Sequence, residues 1–177
     1  MDDNRGPLIS AATLLGIGLG GFVDGILFHQ ILQTHNMLTA ILPRVTLVNA
    51  EINMFWDGLF HAFTWITTVI GLALLWRAFG RADVPRSTKT FVGSLILGWG
   101  LFNLVEGVID HQVLGIHHVY EYADHLLWDM AFLASGVVFI LIGWMLIRGG
   151  SFGRARAPGN REPRSVRGEE GPFIRQT

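Results

Sequence analysis

Four long apolar stretches are the feature of this sequence that most limits its fold. Each is long enough to cross a bilayer, which takes about 20 residues per helical crossing. The first is too long and too glycine-rich for a cleaved signal peptide, and no small-residue cleavage site follows it, so we count it as a helix. We therefore predict an all-α membrane protein, a bundle of four transmembrane helices. The predicted spans are residues 8–33, 53–76, 91–116 and 123–147.

The distribution of basic residues predicts the orientation of the bundle. With four crossings, 12 of the 13 Lys and Arg residues fall on the side of the termini, and only Arg44 falls on the other. The positive-inside rule then places both termini in the cytoplasm, in a multi-pass protein of the inner membrane. The segment 149–177 is rich in Gly, Pro, Arg and Glu and has no apolar period, which predicts a disordered cytoplasmic tail.

The overall composition excludes several classes of function. A net charge of −1 gives no indication of nucleic-acid binding, so the lipid bilayer is the first expected partner. The absence of cysteine rules out disulfides, thiolate ligands and thiol redox chemistry. An extracytoplasmic protein or a small molecule is the further partner that such a chain could have, and the sequence does not give its oligomeric state.

An internal duplication organises the chain. Residues 14–36 (LLGIGLGGFVDGILFHQILQTHN) align without a gap with residues 96–118 (ILGWGLFNLVEGVIDHQVLGIHH), at an offset of 82. WDGLFHA at 56–62 likewise matches WDMAFLA at 128–134, at an offset of 72. Chance similarity of apolar helices would match Leu and Val, whereas these segments match Gly, His, Gln and Trp-Asp.

Each half of the duplication therefore predicts one helical hairpin. The halves run from about 8 to 79 and from about 90 to 148, and together they form one four-helix domain, 1–148. Because both hairpins cross the membrane in the same direction, they form a parallel repeat with a pseudo-two-fold axis along the membrane normal.

Acids and histidines are concentrated in the half of the predicted bundle that is remote from the termini. At a rise of about 1.5 Å per residue, Asp24 and Glu106 lie roughly 14 Å below the outer ends of their helices, and His29 and His111 roughly 6 Å below. The apolar stretches contain no Lys or Arg, so the acids can be paired only with histidine, neutral polar groups, protons or metal. Acids in such positions are costly and commonly functional.

The spacing of acid and histidine predicts a local distortion of two helices. His29 follows Asp24 by five residues, as His111 follows Glu106, which separates them by about 140° on an ideal α-helix. Glycine follows each acid directly, and we predict a π-bulge there, because such a bulge brings residues i and i+5 together. A stripe of small residues on the first helix predicts a close helix–helix contact: Gly18, Gly21 and Gly25.

The donor set predicts a metal site. Histidine with carboxylate, without cysteine and in two copies, suits one or two transition-metal ions, with iron or copper favoured and zinc also compatible. Helical bundles commonly place dinuclear sites between facing helices. The candidate ligands are Asp24, His29, His35, Asp57 and His61 from the first half and Glu106, His111, His117, His125 and Asp129 from the second. This is more than two ions need, so some would orient ligands, as we expect of Gln30 and Gln112.

Several alternatives to a redox metalloenzyme stay open on the sequence alone. The first is a metal-binding or metal-delivery protein that serves a partner outside the cytoplasm. Another is a proton or cation pathway, in which acids and histidines relay charge. The last is a hydrogen-bonded polar network that only fixes how the helices pair.

The motifs resemble those of a known family. GFVDGILFHQILQTHN, WDGLFHAFTW, NLVEGVIDHQVLGIHH and LLWDMAFLASG are similar to segments of a bacterial family of predicted four-helix membrane proteins that carries only a domain-of-unknown-function label. The resemblance covers about residues 10–148 and implies an integral membrane protein. Through the family's association with cytochrome-oxidase assembly genes, it also favours copper and links the delivery alternative to respiratory oxidase assembly.

Overall fold

Four long helices make up most of the computed structural model, which describes residues 4–152. They are α1 Gly6–Val23, α2 Leu47–Phe79, α3 Thr88–Glu106 and α4 His125–Phe152. Helix α1 continues without interruption into a π-helical segment, π1, at Asp24–Ile31, and α3 continues into π2 at Gly107–Val113. All four are long and apolar enough to cross a membrane. The predicted four-helix membrane bundle is therefore confirmed.

The largest differences from the predicted helix boundaries lie at the start of α2 and at the end of α4. Helix α2 begins at Leu47, ahead of the predicted residue 53, because the side chain of Thr46 accepts a hydrogen bond from the Asn49 amide and caps the helix. Helix α4 continues to Phe152, beyond the predicted end of the domain at residue 148. The remainder of the predicted tail, 153–177, lies outside the described residues.

The two repeats meet where α1 crosses α3. A Cβ atom on Gly16 would lie 2.1 Å from the Leu95 carbonyl oxygen, and one on Gly98 would lie 2.0 Å from the Thr13 carbonyl oxygen. Only hydrogen fits at either position. Gly16 corresponds to Gly98 and Thr13 to Leu95 at the same offset of 82, so the pseudo-two-fold axis passes through this contact.

Close packing also holds each hairpin together. The predicted glycine stripe of α1 faces α2, where a Cβ on Gly18 would lie 2.3 Å from Thr68 Oγ1. The equivalent residue of the second repeat, Gly100, contacts α4, where a Cβ would lie 2.6 Å from the Gly136 carbonyl oxygen. Small residues permit this close approach of backbones, as in other membrane helix pairs. The prediction of a close helix–helix contact along this stripe is confirmed.

The outer surface of the bundle is apolar, whereas its interior is built from small and polar residues. Large apolar side chains of α2 and α4 such as Phe63, Trp65 and Leu141 are more than half exposed. Such a surface is suited to lipid chains. The buried polar side chains include most of the acids and histidines singled out in the sequence, which brings them to the centre of one end of the bundle.

Candidate metal centre

Each acid of the duplicated motif lies where an α-helix becomes a π-helix. Asp24 is the first residue of π1, and Glu106 is the last residue of α3, directly before π2. The amide of Leu32 donates to the carbonyl oxygen of Leu27 five residues earlier, at 2.8 Å, and the equivalent bond of the second repeat has the same length. The structure thus contains the predicted distortion in both repeats, as full π-helical segments of 8 and 7 residues rather than single bulges.

The wider π-turn brings each acid to the histidine five residues later. Asp24 Oδ2 lies 3.1 Å from His29 Nε2, and Glu106 Oε1 lies 3.0 Å from His111 Nε2. Both distances are short, but in neither contact is the acid oxygen aligned with the histidine Nε2 as a hydrogen bond requires. The lone-pair direction of each Nε2 therefore points elsewhere than at the acid beside it.

A further histidine of each repeat folds back over the site from the connector. The chain turns at Gln33 (φ 52°) and at its counterpart Gly115 (φ 56°), both in the left-handed region. This turn returns His35 to within 4.0 Å of Asp24, measured from Nε2 to Oδ1, and brings His117 Nε2 to 2.9 Å from an oxygen of Glu106. All of these acids and histidines are buried.

The outward nitrogens of His29 and His111 face carboxylates of the neighbouring helix. His29 Nδ1 lies 3.0 Å from Asp57 Oδ1 and forms a hydrogen bond with it. His111 Nδ1 lies 3.2 Å from Asp129 Oδ1, which is close but poorly aligned. Each carboxylate therefore fixes the orientation of one ring and leaves its Nε2 directed inward.

The outward nitrogens of the other two histidines bond the opposite repeat. His35 Nδ1 lies 3.0 Å from the Val119 carbonyl oxygen, and His117 Nδ1 lies 3.2 Å from the Met37 carbonyl oxygen. Met37 and Val119 are themselves equivalent at the offset of 82. Because a carbonyl only accepts, Nδ1 of each ring carries a proton. His35 Nε2 then has no hydrogen-bond partner among the described residues, whereas His117 Nε2 bonds Glu106 Oε1 at 2.9 Å.

Several buried polar atoms at the centre have no hydrogen-bond partner among the described residues: Asp24 Oδ2, His29 Nε2, His35 Nε2 and His111 Nε2. Leaving one buried polar atom unsatisfied costs about 1–3 kcal/mol, so a group of them in one place indicates a bound ligand. Two sets of three groups could each hold a metal ion, with donor atoms within 4.8 Å of one another: His29, His35 and His117, and Glu106, His111 and His117.

The protonation of His35 suits metal binding. His35 lies in the connector, outside the helical spans. Burial away from water lowers the pKa of His35 well below its usual range, and the neighbouring His117 and His29 lower this pKa further. The ring is therefore neutral at physiological pH, which is the form in which histidine binds a metal.

Gln30 and Gln112, which we expect to orient ligands, each donate a hydrogen bond to a carboxylate beside a histidine. Gln30 Nε2 donates to Asp57 Oδ2 at 3.2 Å, and Gln112 Nε2 donates to Asp129 Oδ2 at 3.4 Å. Each glutamine holds the carboxylate that faces a histidine. The order amide, carboxylate, imidazole is thus repeated in both halves, with a hydrogen bond to the imidazole of His29 and a close contact to that of His111.

Sequence reasoning missed two contributors to the same chain of contacts. Asn36 Nδ2 donates to Asp57 Oδ2, and its counterpart His118 bonds Asp129 Oδ2 through Nδ1 at 2.7 Å. A further acid, Glu121, accepts from the His118 amide at 2.9 Å and from Thr39 Oγ1 at 3.0 Å, which ties the two connectors together. The offset of 82 pairs Asn36 with His118, so the duplication carried a signal for both residues.

Two of the predicted ligands lie away from the donor atoms at the centre of the site. His61 is half-buried, and its Nδ1 bonds the backbone oxygen of Asp57 at 2.7 Å while the ring packs beside Gly25. His125 is exposed at the start of α4, with its ring 4.6 Å from that of His118. The structure does not bring either residue to the donor groups at the centre.

Comparison with known proteins places the chain in a family but leaves its activity open. The family model described as "Predicted membrane protein (DUF2243)" matches residues 11–150, which include α2, α3, most of α1 and α4, and every convergent acid and histidine. Searches of curated proteins and of solved structures return no match. The matched region covers most of the chain, and its helices are those a membrane protein needs, so this protein belongs to the DUF2243 family of predicted membrane proteins, as its motifs implied.

Proposed function

We propose that this protein is an integral membrane metalloprotein that uses one or two transition-metal ions in redox chemistry. The proposed ligands are three side chains from each repeat: Asp24, His29 and His35, and Glu106, His111 and His117. The observation that carries the proposal is the set of buried, unpartnered nitrogen and oxygen atoms at their centre.

The orientation of the histidines supports ligation over a plain polar network. A metal-binding histidine almost always has its second ring nitrogen at a carboxylate, a carbonyl or water. His29 and His111 have Nδ1 at a carboxylate, while His35 and His117 have Nδ1 at a carbonyl. A network that served only helix pairing would satisfy both nitrogens of each ring, whereas Nε2 of His29, His35 and His111 has no hydrogen-bond partner among the described residues. His117 bonds Glu106 Oε1 through its Nε2 at 2.9 Å.

The donor types limit the ion. Imidazole and carboxylate without thiolate favour iron, copper or zinc over softer sites. The two convergent sets of three donors share His117, which suits them to two neighbouring ions, whose separation in dinuclear sites is about 3.5–4 Å. Bound iron or copper would supply one-electron transfer, and we favour these two metals for that reason.

Burial favours retention of the ion over its delivery to another protein. Each proposed ligand is 6% exposed or less. A delivery protein needs ligands that an acceptor can reach, whereas these lie beneath the connectors and between helices.

A complete proton pathway is also disfavoured, because the half of the bundle near the termini lacks titratable residues over 6–23, 62–76, 90–105 and 130–147.

We place the protein in the inner membrane, with its termini in the cytoplasm and the metal centre toward the extracytoplasmic face. The basic side chains in the described part of the chain support this orientation. Arg77, Arg81, Arg86, Lys89 and Arg148 lie at or beyond the helix ends on the side of the termini, whereas Arg44 lies on the side of the metal centre. This asymmetry is what the positive-inside rule requires.

X-ray absorption at the metal edge tests the proposal, on protein purified in detergent without a histidine tag. We expect a shell of nitrogen and oxygen neighbours with the scattering pattern of imidazole, no sulfur shell, and an edge that shifts on addition of dithionite. An imidazole signal of undiminished amplitude in His35→Ala, His117→Ala protein, which keeps only His29 and His111 of the proposed histidines, would contradict the ligand set. Zinc as the only metal that binds would contradict the redox part alone.

A further inference from the structure

Two apolar clefts on the bilayer-facing surface lead to the proposed metal centre. The larger has a volume of about 400 Å³ and reaches Glu106. The smaller, about 210 Å³, reaches Asp24. Their linings correspond through the duplication, since Val105 and Phe60 of the larger cleft match Val23 and Phe132 of the smaller. The clefts are therefore a pseudo-symmetric pair, one for each carboxylate.

Two of the substitutions between the repeats bear on what each cleft could bind. Ile17 lines the larger cleft, whereas its counterpart Trp99 occupies space in the smaller. Asp110 lines the larger cleft, whereas its counterpart in the smaller is Phe28. The larger cleft thus has no tryptophan at the equivalent position, and it has a second acid, which the smaller cleft lacks.

The larger cleft has two carboxyl groups in an otherwise apolar wall. Glu106 is 6% exposed, and its Oε2 atom has no hydrogen-bond partner among the described residues. Asp110 is half-buried, and no side chain in the described part of the chain donates a hydrogen bond to it. An acceptor without a donor at membrane depth is costly, so a ligand that fills this cleft should supply donors.

The aromatic residues of the cleft favour a flat occupant. Phe60, Phe63 and Phe102 line its wall, and aromatic pairs are stabilised by offset or edge-to-face contact. The volume of the cleft falls within the range of small-molecule sites, about 300–1,000 Å³. Phe63 and Val105 are more than half exposed at its mouth, so the occupant enters from the lipid side.

We propose that this cleft, between α1, α2 and α3, binds a membrane-dissolved hydroquinone whose hydroxyl groups donate to Glu106 and Asp110. The ring packs against the phenylalanines, and the alkyl tail extends into the bilayer. A saturated lipid chain would fill the volume but would leave both carboxyl groups without a donor. The inference deepens the proposed function and rests on it, because a hydroquinone is a natural electron donor for a redox metal centre.

Binding of a decyl-substituted ubiquinol to the full chain in lipid nanodiscs, measured at equilibrium, tests this inference. Ile17→Trp copies the residue at position 99 and should weaken binding at least about tenfold by filling the cleft. Leu27→Trp fills the smaller cleft and is the matched control, which should bind like the wild type. Metal content is measured in the same samples, and both variants should retain it.

A second comparison measures how much the hydroxyl groups of the ubiquinol contribute to its binding. The dimethyl ether of the same ubiquinol lacks donors and should bind more weakly to the wild type. Asp110→Leu should weaken binding of the ubiquinol and leave binding of the ether unchanged. Equal binding of both compounds by the wild type would overturn the assignment of a hydroquinone.

The outcomes separate this inference from the metal centre. Ubiquinol binding by Ile17→Trp that equals the wild type would overturn the cleft assignment, whatever the metal content. Binding to the wild type that is lost in Ile17→Trp, in protein that holds no metal, would support the cleft and refute the metal centre.

Discussion

The imidazole rings of His35 and His117 lie parallel, with centroids 4.9 Å apart and planes inclined by 6°. The two residues are equivalent at the offset of 82, so the pseudo-two-fold axis passes between them. Each ring contacts a carbonyl of the opposite repeat through Nδ1. The donor set His29, His35 and His117 is therefore shared between the two hairpins, whereas Glu106, His111 and His117 all belong to the second hairpin.

The symmetry predicts that substitution of either stacked histidine weakens metal binding to a similar extent. His35→Ala and His117→Ala should each weaken metal binding by more than the roughly 10- to 100-fold expected for loss of an orienting partner. Titration with a chelator of known affinity measures this. A variant of either histidine that binds metal like the wild type would remove that residue from the ligand set.

The carboxylates of Asp57 and Asp129, which face the proposed histidine ligands, should affect the metal affinity but not the fold. Asp57→Asn and Asp129→Asn keep the size of the side chain but weaken the contact to His29 and His111, so we expect metal affinity to fall roughly 10- to 100-fold. Chelator competition measures the loss, and the exposed Glu51→Gln on α2 is the control. Wild-type affinity in both Asn variants would show that these acids do not orient ligands.

The histidines that lie away from the centre should be dispensable for metal binding. His61 bonds its own helix backbone, and His125 is exposed, so His61→Gln and His125→Gln should retain the metal content of the wild type. Elemental analysis of the purified variants checks this. Loss of metal from either protein would return that histidine to the ligand set.

The crossing of α1 and α3 should tolerate no added atom. Gly16→Ala places a Cβ against the Leu95 carbonyl oxygen, so we expect destabilisation of at least about 1–3 kcal/mol, as for other overpacked sites. Gly58→Ala is the control, because nothing lies within 4 Å of its Cβ. Thermal unfolding in detergent compares them. Equal stability of the two variants would refute the close contact.

The sequence predicted the π-helical segments because the repeat supplied two independent copies of one irregularity. A single acid and histidine five residues apart would be unremarkable, but Asp24/His29 and Glu106/His111 have the same spacing and the same following glycine. Local spacing therefore contained enough information to place these pairs. The same holds for the spans, whose length and composition are set by the bilayer.

The roles of His61 and His125 could not be predicted from spacing along one helix. His61 lies one turn from Asp57, but Asp57 points its carboxylate at His29 of π1, while the His61 ring bonds the α2 backbone. Which neighbour a side chain meets depends on how the helices pack. His125 starts α4 at the exposed end, where the sequence placed the helix boundary two residues earlier.

The central claim is tested most directly by elemental analysis with plasma mass spectrometry. The protein is purified in detergent without a histidine tag, beside His35→Ala, His117→Ala protein prepared in the same way. The account predicts one or two equivalents of iron or copper per wild-type chain and far less in the double variant. Wild-type protein that holds no metal above background, even after reconstitution, would contradict it.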